Sequence, residues 1–203
     1  MMSEFIYLLL KGMLIGLTIA APVGPIGVLC IKRTMEQGKG IGFASGLGAA
    51  TADGIYGIIA GLGLTVITNF LVGIEWWLQL IGGLFLCYLG IQILRSKPTN
   101  QATKAKNGAT IMKAYTSTLF LTITNPMTIL SFVAIFSGVG LASMKGSGLV
   151  LACGVFLGSA SWWLFLSVCV GWITSRLGKG TFQIFHYISG GIMLIFGLSI
   201  LFS

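Results

Sequence analysis

The chain is short of the groups on which most catalysis rests. Among 203 residues there are four acidic side chains and one histidine, His186. A lone histidine cannot build a metal site, and a single acid inside an apolar run cannot form a carboxylate dyad, so an intramembrane enzyme is disfavoured and no metal or cofactor is expected. The four cysteines, Cys30, Cys87, Cys153 and Cys169, include no C-x-x-C and are scattered over three apolar stretches. They read as small apolar residues, which argues against a membrane thiol-redox carrier. Charge is scarce as well: 8% of residues are charged, 56% are apolar and mean hydropathy is +0.98. A soluble domain of this length cannot hide so much apolar surface in one core, and the chain reads as an integral membrane protein.

What is present is a series of long uncharged windows. They run 12–31, 40–74 (interrupted by Asp53), 76–94, 114–144, 146–175 and 180–203. A helix needs about 20 apolar residues to cross a ~30 Å hydrocarbon core, so six spans are expected. Helices are preferred over a barrel, because period-2 alternation is absent. The first window is not read as a cleaved signal peptide: Glu4 stands where a basic n-region belongs, and the apolar run continues to Ile31.

Ten of the 12 basic residues fall in the loops after spans 1, 3 and 5, leaving Lys11 and Lys145 on the other side. The positive-inside bias puts those three loops in the cytoplasm and both termini outside. Nucleic-acid binding is excluded, since the basic residues are dispersed among short loops with no aromatic interleaving. The segment 96–113 is polar and reads as a cytoplasmic linker between residues 1–95 and 114–203. Each part holds three spans, so related halves must be inserted upside down to one another.

The parts do match in order. Span 3 contains IGGLFLCYLGIQIL and span 6 contains SGGIMLIFGLSIL; span 2 opens GLGAATADG and span 5 opens GVFLGSASW, which sets Ser161 opposite Asp53. Span 1 carries Pro22 and Pro25 around Gly24, and span 4 carries Asn125-Pro126. The expected fold is therefore all-α, with six transmembrane helices arranged as two inverted three-helix repeats. Such transporters bind substrate at the midplane, where interrupted helices occupy corresponding positions of the two halves. Proline frees backbone carbonyl groups, which is costly in lipid unless they face a cavity or a ligand. A packing kink is the plainer explanation of one proline, but two prolines flanking a glycine, echoed in span 4, favour a site.

Asp53 is the one acid well inside a span, at a cost of roughly 2.5–3.5 kcal/mol on insertion scales. Desolvation favours its protonated form, which suits a proton carrier; ionised, it would hold a substrate ammonium group. Tyr56 and Thr124 join Pro22, Gly24, Pro25, Asn125 and Pro126 as candidate substrate-binding residues, with interhelical hydrogen bonding as their structural alternative. His186 reads as an interfacial residue, Gln79 and Gln92 as packing or interface groups, and Trp76 and Trp77 as belt anchors. The Trp162–Trp163 pair is undecided between anchoring and the site. The spacings G42-x-x-x-G46, G57-x-x-x-G61 and G154-x-x-x-G158 permit close helix contact, within the chain or in a homodimer.

Taken together, PVGP in span 1, the loop KRTMEQGKG, the small-residue span GLGAATADGIYG and the Asn-Pro of ITNPMTI resemble the lysine-exporter (LysE) superfamily of bacterial amino-acid exporters, along nearly the full length. The resemblance implies a multi-pass protein of the bacterial plasma membrane that exports amino acids or related metabolites by exchange for protons. Substrate contacts would then map onto Pro22, Gly24, Pro25, Asn125 and Pro126, and proton coupling onto Asp53. The sequence departs from the commoner P-G-P spelling by inserting Val23. A non-catalytic membrane subunit is the remaining alternative, and it leaves Asp53 and the paired breaks unexplained.

Overall fold

Proline decides where two of the expected spans stop. In the computed structural model, which describes residues 2–22, 24–61, 73–96, 108–139, 148–174, 176 and 179–202, all regular structure among those residues is helical. The helices are α1 (Met2–Ala20), α2 (Pro25–Gln37), α3 (Lys39–Gly61), α4 (Glu75–Arg95), α5 (Gly108–Ile123), α6 (Pro126–Val139), α7 (Gly148–Thr174) and α8 (Lys179–Leu201). Val23 and linker residues 97–107 lie outside the described residues.

Window 12–31 is thus two helices, and so is window 114–144. Among the described residues, four helices are long and apolar enough to cross a membrane on their own: Met2–Ala20, Trp76–Arg95, Gly148–Thr174 and Gln183–Leu201. Helices α2, α5 and α6, of 13, 16 and 14 residues, cover about 20–24 Å at ~1.5 Å per residue, short of a ~30 Å core. Helix α3 is long enough at 23 residues but carries Ser45, Thr51 and Asp53 among its glycines. The first helix also starts nine residues before Lys11, whose Nζ lies 5.8 Å from the Tyr7 ring centroid. Lys11 therefore lies within α1, and the Pro22–Pro25 break follows a full 19-residue helix.

Small residues set which helices touch. Helices α1 and α7 run parallel with backbones in contact: a Cβ on Gly16 would lie 2.0 Å from the Val155 carbonyl oxygen, and one on Gly158 would lie 2.0 Å from that of Met13. The 154/158 glycine pair is thereby used inside the chain. Helices α4 and α8 pack antiparallel, Gly83 against the Gly197 carbonyl and Gly90 against that of Gly190. Helix α3 lies between α7, where Gly46 abuts Trp163, and α5, where Gly48 abuts the Tyr115 carbonyl. Close backbone approach of this kind is how helices associate in lipid, where no hydrophobic force acts between them.

Candidate functional site

The two breaks meet. Pro22, Gly24 and Pro25 from the first, and Asn125 and Pro126 from the second, line one cavity of about 480 Å³ together with Asp53. Gln79, Thr122 and Trp163 are among the residues of its polar and aromatic wall. That volume suits a metabolite-sized ligand.

The breaks differ in how they finish their helices. Gly24 caps α2 in extended conformation (φ −106°, ψ −166°) and brings no side chain to the cap; Pro25 occupies the first turn. The Val28 amide donates to the Gly24 carbonyl at 3.0 Å. Pro25 has no N–H, so the amides of Ile26 and Gly27, both residues of the cavity wall, are left at the mouth of the helix. At the second break, Asn125 caps α6 through its own side chain: Oδ1 accepts the Met127 amide at 3.2 Å and Nδ2 donates to Thr128 Oγ1 at 3.0 Å. The Asn125 amide in turn donates to the Thr122 carbonyl, the group Pro126 leaves without a helical donor.

Tyr56 and Thr124 stand beside the cavity, not in its lining. The Tyr56 hydroxyl donates to the Ile123 carbonyl at 2.6 Å. That carbonyl would serve Met127 in an unbroken helix, but the Met127 amide is held by Asn125, so Tyr56 satisfies the vacancy from α3. Thr124 Oγ1, just past the end of α5, donates back to the Phe120 carbonyl of that helix at 2.9 Å.

Asp53 is buried, and its Oδ2 accepts the Ser159 hydroxyl at 2.7 Å. Trp163 Nε1 donates to Ser159 Oγ at 3.1 Å, so a chain of two hydrogen bonds runs from α7 to the acid. The partner is Ser159 and not Ser161, whose exposed hydroxyl turns back to the Leu157 carbonyl. Matching the two spans by their glycines alone misses this register. Trp163 is resolved as a wall residue, while Trp76 and Trp77 are exposed.

Two polar side chains have site-scale roles that their sequence neighbourhoods do not announce. Arg33 on α2 donates from Nη1 to Ser45 Oγ (2.9 Å), the Ala114 carbonyl (2.9 Å) and Thr118 Oγ1 (2.8 Å), and from Nη2 to Ser117 Oγ (2.8 Å). It ties α2 to α3 and α5. His186, expected at an interface, is only 2% exposed and bonds Glu36 on α2 and the end of α4. Helix α8 brings the histidine there by packing along α4, a placement no local spacing encodes.

Comparison with known proteins identifies the family. The LysE type translocator family matches residues 17–203. The chain is 25% identical over 195 residues to the "Putative amino acid efflux protein YcgF" of Bacillus subtilis (strain 168), covering 93% of this chain and 92% of the relative. It is 29% identical over 184 residues to the uncharacterized membrane protein YrhP of the same organism, covering 84% and 87%. It is 24% identical over 176 residues to the uncharacterized membrane protein YahN of Escherichia coli (strain K12), covering 85% and 79%. No solved structure matches. With the family matched across nearly the whole length and apolar helices able to span a bilayer, the chain belongs to the LysE type translocators, a family of multi-pass membrane transporters.

Proposed function

We propose that this translocator exports amino acids or related small metabolites from the cytoplasm in exchange for protons, using the cavity between the two breaks as its substrate site. The observation that carries the reading is the convergence of Pro22–Pro25, Asn125–Pro126 and Asp53 on one cavity. The N-terminus of α2, capped by a glycine, offers amides and a positive dipole end to a substrate carboxylate. Asp53 takes the proton, or the substrate ammonium group, in alternation. The name of the Bacillus relative supports the substrate class.

The halves are read as inverted repeats, residues 1–95 and 114–203. Exchanging α1 with α5, α3 with α7 and α4 with α8 maps the α1–α7 contact onto α5–α3 and returns the α3–α7 and α4–α8 contacts to themselves, which supports the relation. The basic loops mark the cytoplasmic face and both termini lie outside.

The test is efflux from proteoliposomes loaded with a panel of amino acids, driven by a pH gradient. Wild type moves at least one of them, and Asp53→Asn abolishes the gradient-driven flux. Silence across the panel sinks the export reading; unchanged flux in Asp53→Asn removes Asp53 from the coupling.

A further inference from the structure

A second cavity, of about 320 Å³, lies further along α2, between that helix and the end of α4. Successive turns of α2 wall the two cavities: Pro25, Ile26 and Gly27 face the central one, and Leu29, Lys32, Arg33 and Glu36 the second. One buried apolar cluster borders both. Its Leu29, Leu89 and Ile93 line the second cavity, and Ile26 and Ile200, packed against it, line the central one.

The second cavity is rich in donors and poor in free acceptors. Among the described residues that line it, Glu36 is the one acid, and both of its oxygens are engaged: Oε2 with Lys32 Nζ one turn away, and Oε1 with His186 Nδ1 at 2.6 Å. Lys32 is only 7% exposed. Its ammonium has three N–H groups, of which Glu36 takes one, and no other acceptor bonds it among the described residues. A buried charged donor left without a partner is costly, and a ligand that accepts would relieve the cost. The side-chain amide of Gln37 stands on the same wall. Arg33 spends its bonds on α3 and α5, which fixes this turn of α2 and leaves the wall formed before a ligand arrives.

These groups select one chemistry. Carboxylate oxygens accept and do not donate, so a carboxylate complements Lys32 and the Gln37 amide, while a short apolar body covers Leu29, Leu89 and Ile93. A ligand ammonium meets the opposite, two basic side chains and an acid already engaged. We propose that this cavity is a second binding site, for the carboxylate of an amino-acid-sized metabolite, with Lys32 as the residue that holds it. Its place at the basic ends of α2 and α4, next to the central cavity, makes it the entry station where exported substrate first binds. The entry role rests on the central cavity being the substrate site; the carboxylate site does not.

Gln92 lines the cavity from α4 and is exposed. With the four native cysteines replaced by alanine, Gln92→Cys is labelled by the neutral reagent methyl methanethiosulfonate in phosphatidylcholine nanodiscs at fixed pH. Butyrate should slow the labelling saturably, about tenfold at about ten times its half-effect concentration, and n-butylammonium at the same concentration and ionic strength should not. Equal protection by both ions, or none by butyrate, overturns the site. Lys32→Met, which keeps the stem and removes the ammonium, should abolish the protection; protection that persists in the folded variant overturns the role of Lys32. If Lys32→Met does not fold, the comparison of the two ions decides alone. A lipid phosphate is the competing source of an anion: nanodiscs containing phosphatidylglycerol that slow labelling, with butyrate inert, overturn the proposal in favour of the headgroup. Lys32→Met should also raise the KM for efflux by about fivefold or more with the maximal rate within about twofold, and an unchanged KM overturns the entry role. A silent amino-acid panel beside protection by butyrate would reject the export reading and leave the carboxylate site standing.

Discussion

Tyr56→Phe isolates the cost of keeping span 4 broken. The substitution preserves the ring against Phe132, whose centroid is 5.3 Å away, and deletes only the hydroxyl that serves the Ile123 carbonyl. That carbonyl has lost its helical donor to Asn125 and sits where the helix is interrupted. Leaving a buried acceptor unpaired costs ~1–3 kcal/mol. Interhelical hydrogen bonds in membrane proteins average nearer ~0.6 kcal/mol, because freed groups usually find another partner. Here the nearest substitute, the Met127 amide, is already engaged, so the cost should lie near ~2 kcal/mol. At about 2–4 °C per kcal/mol for a chain of this size, the melting temperature in detergent should fall by about 4–8 °C. Cys30, buried in the fold, supplies a thiol whose exposure to a fluorogenic maleimide follows unfolding. The two residues should also be coupled: in Asn125→Ala the Met127 amide is released to reach Ile123, so adding Tyr56→Phe should then cost less than half as much. A Tyr56→Phe variant that melts with the wild type, or costs the same in both backgrounds, refutes the account.

Gly24→Ala should leave the melting temperature within about 1 °C, since the backbone angles suit alanine and its Cβ meets open space, while efflux falls because the methyl group stands at the α2 amides. Arg33→Ala should destabilise by at least about 3 kcal/mol, judged from the same melts, because its charge-assisted bonds reach two other helices. Arg33→Lys should recover less than half of that, an ammonium lacking the planar fork. Gly158→Ala drives a Cβ onto the Met13 carbonyl and should abolish monodisperse protein on size exclusion, whereas Gly191→Ala, whose Cβ meets nothing within 4 Å, should be tolerated.

The break positions are legible in the sequence because proline acts locally: it removes an amide wherever it stands, and both cavity walls follow from Pro22, Pro25 and Pro126. Asp53 is legible for a similar reason, being costly in an apolar window whatever surrounds it. What stays hidden depends on pairings between distant residues. His186 meets Glu36 across 150 positions and Arg33 meets Thr118 across 85, and each looks from its own neighbourhood like a loop or interface group. Tyr56 and Thr124 are recognisable as polar groups near the centre, yet whether such a hydroxyl points to a ligand or a backbone carbonyl depends on which carbonyls the break orphans. Glycine spacing sets Ser161 opposite Asp53, but the acid's partner is Ser159, because the register between two helices is settled by their packed faces and not by a count along either one.

The packing of α1 on α7 carries a further meaning for how the protein is made. Helix α1 has its backbone face, Gly12 and Gly16, shaped for a helix that begins at Gly148, well over a hundred residues later in synthesis. During synthesis at ~5–20 residues per second, that face waits on the order of ten seconds in the bilayer without its partner. Among the described residues the nearest atoms to both glycine faces belong to α7, so a product stopping before α7 leaves α1 without that partner and open to quality control.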